Sequence, residues 1–375
     1  MMLGFSSLLT EQSISSIAEE YGFTDKASVE KFIMDFEIHY HISRHIKCVT
    51  RGGMCMPFHI SEGTNRLSID IDLLTSSTTN EIRHAMSQID GSVDELTCEE
   101  YIPVNPYPLD NLITYRIYYD SCLGKQNFVK VDCFCDVKIQ IDSQQVKSGS
   151  PLFVFNTKHD MNILSRGALI GDKLTTLAVG TIGLKSARKS NAAKQIYDLG
   201  ALLKDATVQD LQTSFDTFER MTDFKVRCFG YDPRYTTSDV VDSIADFVFG
   251  LLNLKGAVSI TREQTKRYNG FQGTYLRSKH GYKKVSHVTD VLLIFLYSRQ
   301  LCKYLNGDAS KDEAVRSIHA VIKRMHEMDE YDAELVQSIR KSCREHLPES
   351  CGFNRKILNG ALLEHVFLID QIFQD

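Results

Sequence analysis

The sequence predicts an α+β fold, a mixed sheet with helices followed by a mostly helical C-terminal domain. Two observations carry this. From about 47 to 140 the chain passes through short strand-like segments, KCVTR, RLSIDIDLL, LITYRIYY and FVKVDCFCDVKIQI, with one helical stretch near 79–89. From about 160 onward the apolar residues recur at helical spacing. Strands and helices interleave in the first part, so an α/β core is the neighbouring possibility.

Taken in order, Val29, Phe32, Ile33, Phe36 and Tyr40 fall on one helical face behind Ser28, a cap candidate. The strand segments follow. Helical period then returns in GALIGDKLTTLAVGTIG, AAKQIYDLGALLKD and TVQDLQTSFDTFERM. GYDPRYTT at 230–237 combines Pro with small and polar residues and marks a boundary, with a helix starting at Thr237. SDVVDSIADFVFGLLNL, HVTDVLLIFLYSRQLCKYL, DEAVRSIHAVIKRMHEM and an apolar stretch at 357–373 complete the helical part. Three regions are expected: N-terminal helices at 1–45, a core at 46–229 and a helical domain at 230–375. There is no internal repeat or low-complexity run.

Hydrophobic residues make up 43% of the 375 and charged residues 24%, which excludes disordered and collagen-like classes. Against 43 Lys and Arg stand 48 Asp and Glu, a net charge of -5, so any contact with nucleic acid or an anionic membrane needs a local patch. The longest apolar candidate, VLLIFLY at 291–297, is far short of the ~18 residues of a membrane span. The N-terminal MMLGFSSLLTEQS lacks the basic region of a secretory signal. Ten cysteines without a CxxC pair read as reduced core thiols. A soluble, cytoplasmic protein without membrane contact is expected.

The most informative segment is Arg66-Leu67-Ser68-Ile69-Asp70-Ile71-Asp72-Leu73, in which polar and apolar residues alternate strictly. On a strand, Asp70 and Asp72 then share a face with Ser68 and Arg66, and two such carboxylates can share divalent cations. Upstream, Gly52 and Gly53 end the segment KCVTR, where glycine lets backbone N–H groups approach a phosphate. A third acid, Asp132, lies on the strand 128–136 and shares a face with Lys130, Phe134 and Asp136. A polar outer sheet face explains the same pattern. Three carboxylates around one or two Mg²⁺ ions would explain the concentration of acids on two strands.

These stretches resemble the AbiEii/MenT group of nucleotidyltransferase-like toxins from bacterial toxin–antitoxin systems, within the DNA polymerase β-type nucleotidyltransferase superfamily. Val29-Glu30-Lys31 resembles a family string before the first strand. Gly52-Gly53 and RLSIDIDL are similar to the family's Gly-Gly turn and R-x-S-x-D-[IL]-D-[LF]. Gly171-Asp172-Lys173-Leu174 resembles the helix that presents a lysine to the triphosphate, and Lys194-Gln195-Ile196-Tyr197-Asp198-Leu199 resembles [RK]-D-x-x-D-L. The resemblance spans about residues 28–205. Met54 stands where members often carry Thr or Ser, and Gln195 where an acid is common.

The resemblance implies a nucleotidyltransferase-like sheet, an NTP substrate and Mg²⁺ held by Asp70 and Asp72. Asp132 would help deprotonate an acceptor hydroxyl, and the amides of Gly52 and Gly53 would cradle phosphates. Lys173 would neutralise the triphosphate, and Asp198 would orient that lysine or serve as a further polar group at the site. Lys194 is read as an exposed ion-pair partner of Asp198 on the same helix face. Arg66 and Ser68 read either as substrate contacts or as support of the strand. A cognate antitoxin protein and an RNA acceptor, such as a tRNA 3′ end, are implied partners.

Between 262 and 284, Arg262, Lys266, Arg267, Arg277, Lys279, Lys283 and Lys284 face the single acid Glu263, a local charge of +6. Tyr268, Phe271, Tyr275 and Tyr282 are interleaved, and three glycines predict a mobile loop suited to RNA, with Lys266 and Arg267 as candidate contacts. A solvated loop without a ligand is the bland alternative. A second basic cluster comprises Lys185, Arg188, Lys189 and Lys194. Transfer to a small-molecule or protein hydroxyl, and NTP binding without turnover, are the competing functions.

Overall fold

The structure is a computed structural model that describes residues 9–61, 66–93, 95–102, 111–124, 126–147, 159–185, 191–231, 234–253, 258–277, 281–328, 333–346 and 362–374. It divides into two compact units. Unit 1 holds 1–169, 227–231 and 271–281, and unit 2 holds 170–226, 232–270 and 282–375. Arg188, Lys189, Lys279 and part of the stretch 357–373 lie outside the described residues.

Unit 1 is built on a seven-stranded mixed sheet. Its strands are β1 (Val49–Arg51), β2 (Asp70–Leu74), β3 (Leu96–Glu100), β4 (Leu112–Asp120), β5 (Gln126–Phe134), β6 (Ser143–Lys147) and β7 (Asp160–Leu164), in the order β3-β4-β5-β2-β1-β7-β6. The pairs β2·β5 and β1·β7 are parallel and the rest antiparallel. The central strands β5, β2 and β1 are those that carry the conspicuous motifs. Helices α1 (Glu11–Tyr21), α2 (Lys26–Ser43) and α3 (Thr79–Asp90) belong to the same unit. Thr78 and Glu81 form a reciprocal capping box at the start of α3.

Helix α2 is buried on nearly all sides, and Val29, Phe32, Ile33 and Phe36 are fully enclosed. Its cap is Asp25 rather than the expected Ser28: Asp25 Oδ1 accepts from the Ala27 and Ser28 N–H at 3.1 and 3.4 Å. Ser28 Oγ donates to the second oxygen. Burying polar groups requires partners, and α2 uses its own to grip the sheet. Glu30 accepts from Tyr119 Oη, Ser121 Oγ and the Cys122 N–H around the β4–β5 turn. His39 Nε2 meets Thr50 Oγ1 of β1 at 2.8 Å. Burial, then the nearby His159, lowers the His39 pKa to about 3, so His39 is neutral at ordinary pH.

The expected strand at 66–73 begins only at Asp70. The reason is its neighbour: β1 stops at Arg51, paired with Asp72, and the chain then coils into a 3-10 turn, Gly52–Phe58. Residues 66–69 therefore lack a β1 partner, and the Leu67 N–H donates to the carbonyl of Tyr275 at 3.2 Å. Likewise β5 ends at Phe134, and Asp136 sits beyond it with φ +53°, off the face it was expected to share. Strand β7 lies where helix was expected from about 160 onward.

Unit 2 is largely helical, as the periodicity predicts. Besides part of α4 (Arg166–Leu174) and of α6 (Val208–Cys228), it contains α5 (Ala192–Lys204), α7 (Thr237–Phe249), α9 (Lys284–Leu305), α10 (Lys311–Glu327), α11 (Ala333–His346) and the helix Leu363–Gln374. Helix α8 (Arg262–Tyr275) precedes α9, and β8 (Leu252–Asn253) and β9 (Ser259–Ile260) form a short hairpin. The apolar run 291–297 lies on α9, which is buried along most of its length and forms the axis of this core. Among the described residues no helix is long and apolar enough to cross a membrane, and no disulfide joins two of the described cysteines.

Candidate active site

The site in unit 1 is assembled by strand register. On the parallel pair β2·β5, Asp70 faces Lys130 and Asp72 faces Asp132. On the other side of β2, Arg51 is opposite Asp72, and beyond β5 Thr114 is opposite Asp132. Residues two apart on a strand share a face, so this register places three carboxylates and Lys130 together, with Arg51 and Thr114 flanking them. Thr114 Oγ1 donates to Asp132 Oδ1 at 2.7 Å, and the Lys130 ammonium donates to Asp132 Oδ2.

The Gly-Gly turn closes against this face. Gly52 has φ +73°, a conformation L side chains rarely adopt, and a Cβ there would lie 2.1 Å from Asp72 Oδ2. A Cβ on Gly53 would lie 2.5 Å from Ser68 Oγ and 2.9 Å from an Arg66 terminal nitrogen. Both glycines are therefore required by close approach, one to a proposed ligand and the other to its supports. Arg66 is fully buried and donates to the Leu67 carbonyl at 2.6 Å, bracing the turn from within. Ser68 Oγ reaches the Asp70 carbonyl at 3.4 Å. Met54, where a hydroxyl was considered, is a fully buried core residue. Replacing Gly52 with Ala is expected to cost about 1–2 kcal/mol in backbone strain alone and to displace Asp72. Thermal melting and nucleotide transfer measure this, and an alanine protein unchanged in both would refute it.

Burial pushes the Asp72 carboxyl above the usual carboxylate range, Arg51 pulls it back, and Asp132 and Asp70 push it up again. Burial also opposes the charge on Lys130, yet Asp132, followed by Asp72 and Asp70, holds its ammonium above the ordinary lysine value. These shifts mark crowded negative charge. An all-oxygen donor set beside a turn with no room for a Cβ fits a hard divalent cation. Among the described residues no three acidic, histidine or cysteine side chains already close around a common point.

In unit 2, Lys173 and Asp198 meet although they are 25 positions apart. Lys173 Nζ donates to Asp198 Oδ2 at 2.6 Å, with side chains 3% and 0% exposed. Lys225 meets Asp172 at 3.3 Å in the same unit. Asp198, from the stretch Lys194–Leu199, is thus a fully buried direct partner of Lys173 rather than a member of an exposed helix ion pair.

The segment 262–284 corrects an expectation. Over Arg262–Tyr275 it is helix α8 rather than a loop, and a further helix starts at Lys284. Gly270 and Gly273 are tolerated on it because surrounding apolar residues hold the helix, and Tyr268, Phe271 and Tyr282 are buried. These three rings are core and offer no open face for bases. Lys266, Lys283 and Lys284 are exposed, whereas Arg267 is half-buried and pairs with Glu263. Sequence reasoning gave no role to Arg51, Thr114 or Lys130; only Lys130 carried a signal, its i, i+2 spacing from Asp132.

None of the curated proteins compared matches the chain. Among solved structures, MenT4, a nucleotidyltransferase toxin from Mycobacterium tuberculosis H37Rv, aligns over 81% of this chain and 98% of its own at 12% identity, with a TM-score of 0.45. The family model described as "Nucleotidyl transferase AbiEii toxin, Type IV TA system" matches residues 41–281, which contain the Gly-Gly turn, all three carboxylates and the Lys173–Asp198 pair. With well over half its length covered, the chain belongs to the AbiEii family of nucleotidyltransferase toxins of type IV toxin–antitoxin systems.

Proposed function

We propose that this nucleotidyltransferase is Mg²⁺-dependent, acts in the cytoplasm, and transfers a nucleotide from an NTP to an RNA hydroxyl, such as a tRNA 3′ end, thereby blocking translation. The observation that supports it most is the register that sets Asp72 against Asp132 with Asp70 one pleat away, beside a turn that admits only glycine. Asp70, Asp72 and Asp132 would hold the cation, which when bound neutralises phosphate charge and polarises the attacking oxygen.

The chain's own groups do the rest. The backbone amides of Gly52 and Gly53 would donate to phosphate oxygens. Asp132, oriented by Thr114, accepts the proton of the acceptor hydroxyl. Arg51 limits the repulsion that Asp72 feels as negative charge gathers. Lys173, held by Asp198, serves triphosphate neutralisation. Ser68 and Arg66 hold the turn in place. A cognate antitoxin would restrain the activity in the cell.

RNA would be held by charge rather than by stacking. Arg262, Lys266, Lys283 and Lys284 are all exposed. Replacing Lys266, Arg267, Lys283 and Lys284 with Glu is expected to weaken RNA binding, flatten its salt dependence and leave NTP binding nearly unchanged, as read by filter binding across salt concentrations. Equal RNA affinity in the reversed-charge protein refutes the assignment.

The whole proposal is tested by incubating the purified protein with each labelled NTP, Mg²⁺ and total RNA. Label in RNA supports it. Label in a small molecule or protein establishes the alternative acceptor, and NTP binding without any transfer establishes a non-catalytic module.

A further inference from the structure

Lys130 is the one basic group that the register places among the acids with freedom to leave them. Its ammonium sits on Asp132 Oδ2, while Asp132 Oδ1 is taken by the Thr114 hydroxyl. Both carboxylate oxygens are thus engaged by the protein itself. Each oxygen keeps a second lone pair, so the neutral Thr114 hydroxyl can stay when a divalent cation approaches Asp132, but the ammonium on Oδ2 is a like charge at contact distance and repels it.

The other neighbouring cation, Arg51, is fixed: it is 7% exposed and its guanidinium lies over the Phe134 ring, 5.1 Å from the centroid. Lys130 carries its charge on a flexible four-carbon stem, and its side chain is 36% exposed. It can swing into solvent without opening the core.

We propose that Lys130 is a built-in counter-cation, which holds Asp132 while the site is empty of metal and is displaced when a divalent cation binds. It is a positioning residue that sets the cation concentration at which the site fills. This rests on the cation reading given above. An ordinary strand-face ion pair would instead contribute little and leave cation affinity unchanged.

The test is Mn²⁺ binding to the metal-stripped full chain, followed by electron paramagnetic resonance, for the unaltered protein and for Lys130→Met, Lys130→Gln and Lys130→Arg. The Met and Gln proteins are expected to bind Mn²⁺ about tenfold more tightly, because a like charge has been removed at contact distance. The Arg protein should bind no more tightly than the unaltered one. Met and Gln proteins that bind Mn²⁺ equally or more weakly overturn the proposal while leaving the cation site standing. In the unaltered protein, ¹⁵N resonance of the lysine ammonium groups should show one signal losing its carboxylate hydrogen bond on adding Mg²⁺; no such change also overturns it. Mn²⁺ binding that is absent from the unaltered protein, or that survives Asp72→Ala, overturns the cation reading itself and the counter-cation with it.

Discussion

Asp70→Ala and Asp72→Ala proteins are expected to fold and to lose nucleotide transfer by about a thousandfold or more, since a lost cation ligand removes several kcal/mol of transition-state stabilisation. Folding survives because both side chains lie on a half-buried face and belong to a set whose charges repel. Asp72→Asn sharpens the contrast. It keeps the shape beside Gly52 but removes a carboxylate disfavoured by burial and by Asp132 and Asp70, so it should melt no lower than the unaltered protein without divalent cations while being equally inactive. Near-normal turnover in folded Asp70→Ala would refute the assignment.

Asp198→Ala is expected to cost about 3–5 kcal/mol of stability, because it leaves the Lys173 ammonium, only 3% exposed, without the carboxylate it touches. Urea unfolding followed by circular dichroism measures this directly. Replacing both partners with apolar residues, Lys173→Met together with Asp198→Leu, should restore most of the loss. Transfer by that double variant then separates roles: a folded and active protein assigns the pair to structure alone, whereas a folded and inactive one assigns it to the reaction. A single variant that unfolds at the original urea midpoint would show that the buried pair contributes nothing.

The fold class was legible because each part obeys one period. Strands β2, β4 and β5 alternate between a buried and a half-buried face, so a count of two along the chain finds them, and helices such as α7 and α10 bury one stripe at 3.6. The strands that were missed, β3, β6 and β7, carry sequences such as SQQVK and DMNIL whose strand character comes from their partners. The α8 region misled because glycine and basic residues suggest a loop, whereas buried Tyr268, Phe271 and Leu276 fix a helix.

For the site, the sequence by itself determined the residue types and which of them share a strand face, since side-chain alternation is a local property: Asp70 with Asp72, and Lys130 with Asp132. It also determined membership of the family, through ordered short motifs. Only the tertiary structure decided that Asp72 faces Asp132, that Arg51 and Thr114 flank them, that Gly52 touches a carboxylate, and that Lys173 meets Asp198. Register between strands and contact between distant helices are set by the packing of the whole core, and a shift of one residue in a strand would turn that strand's side chains to the opposite face.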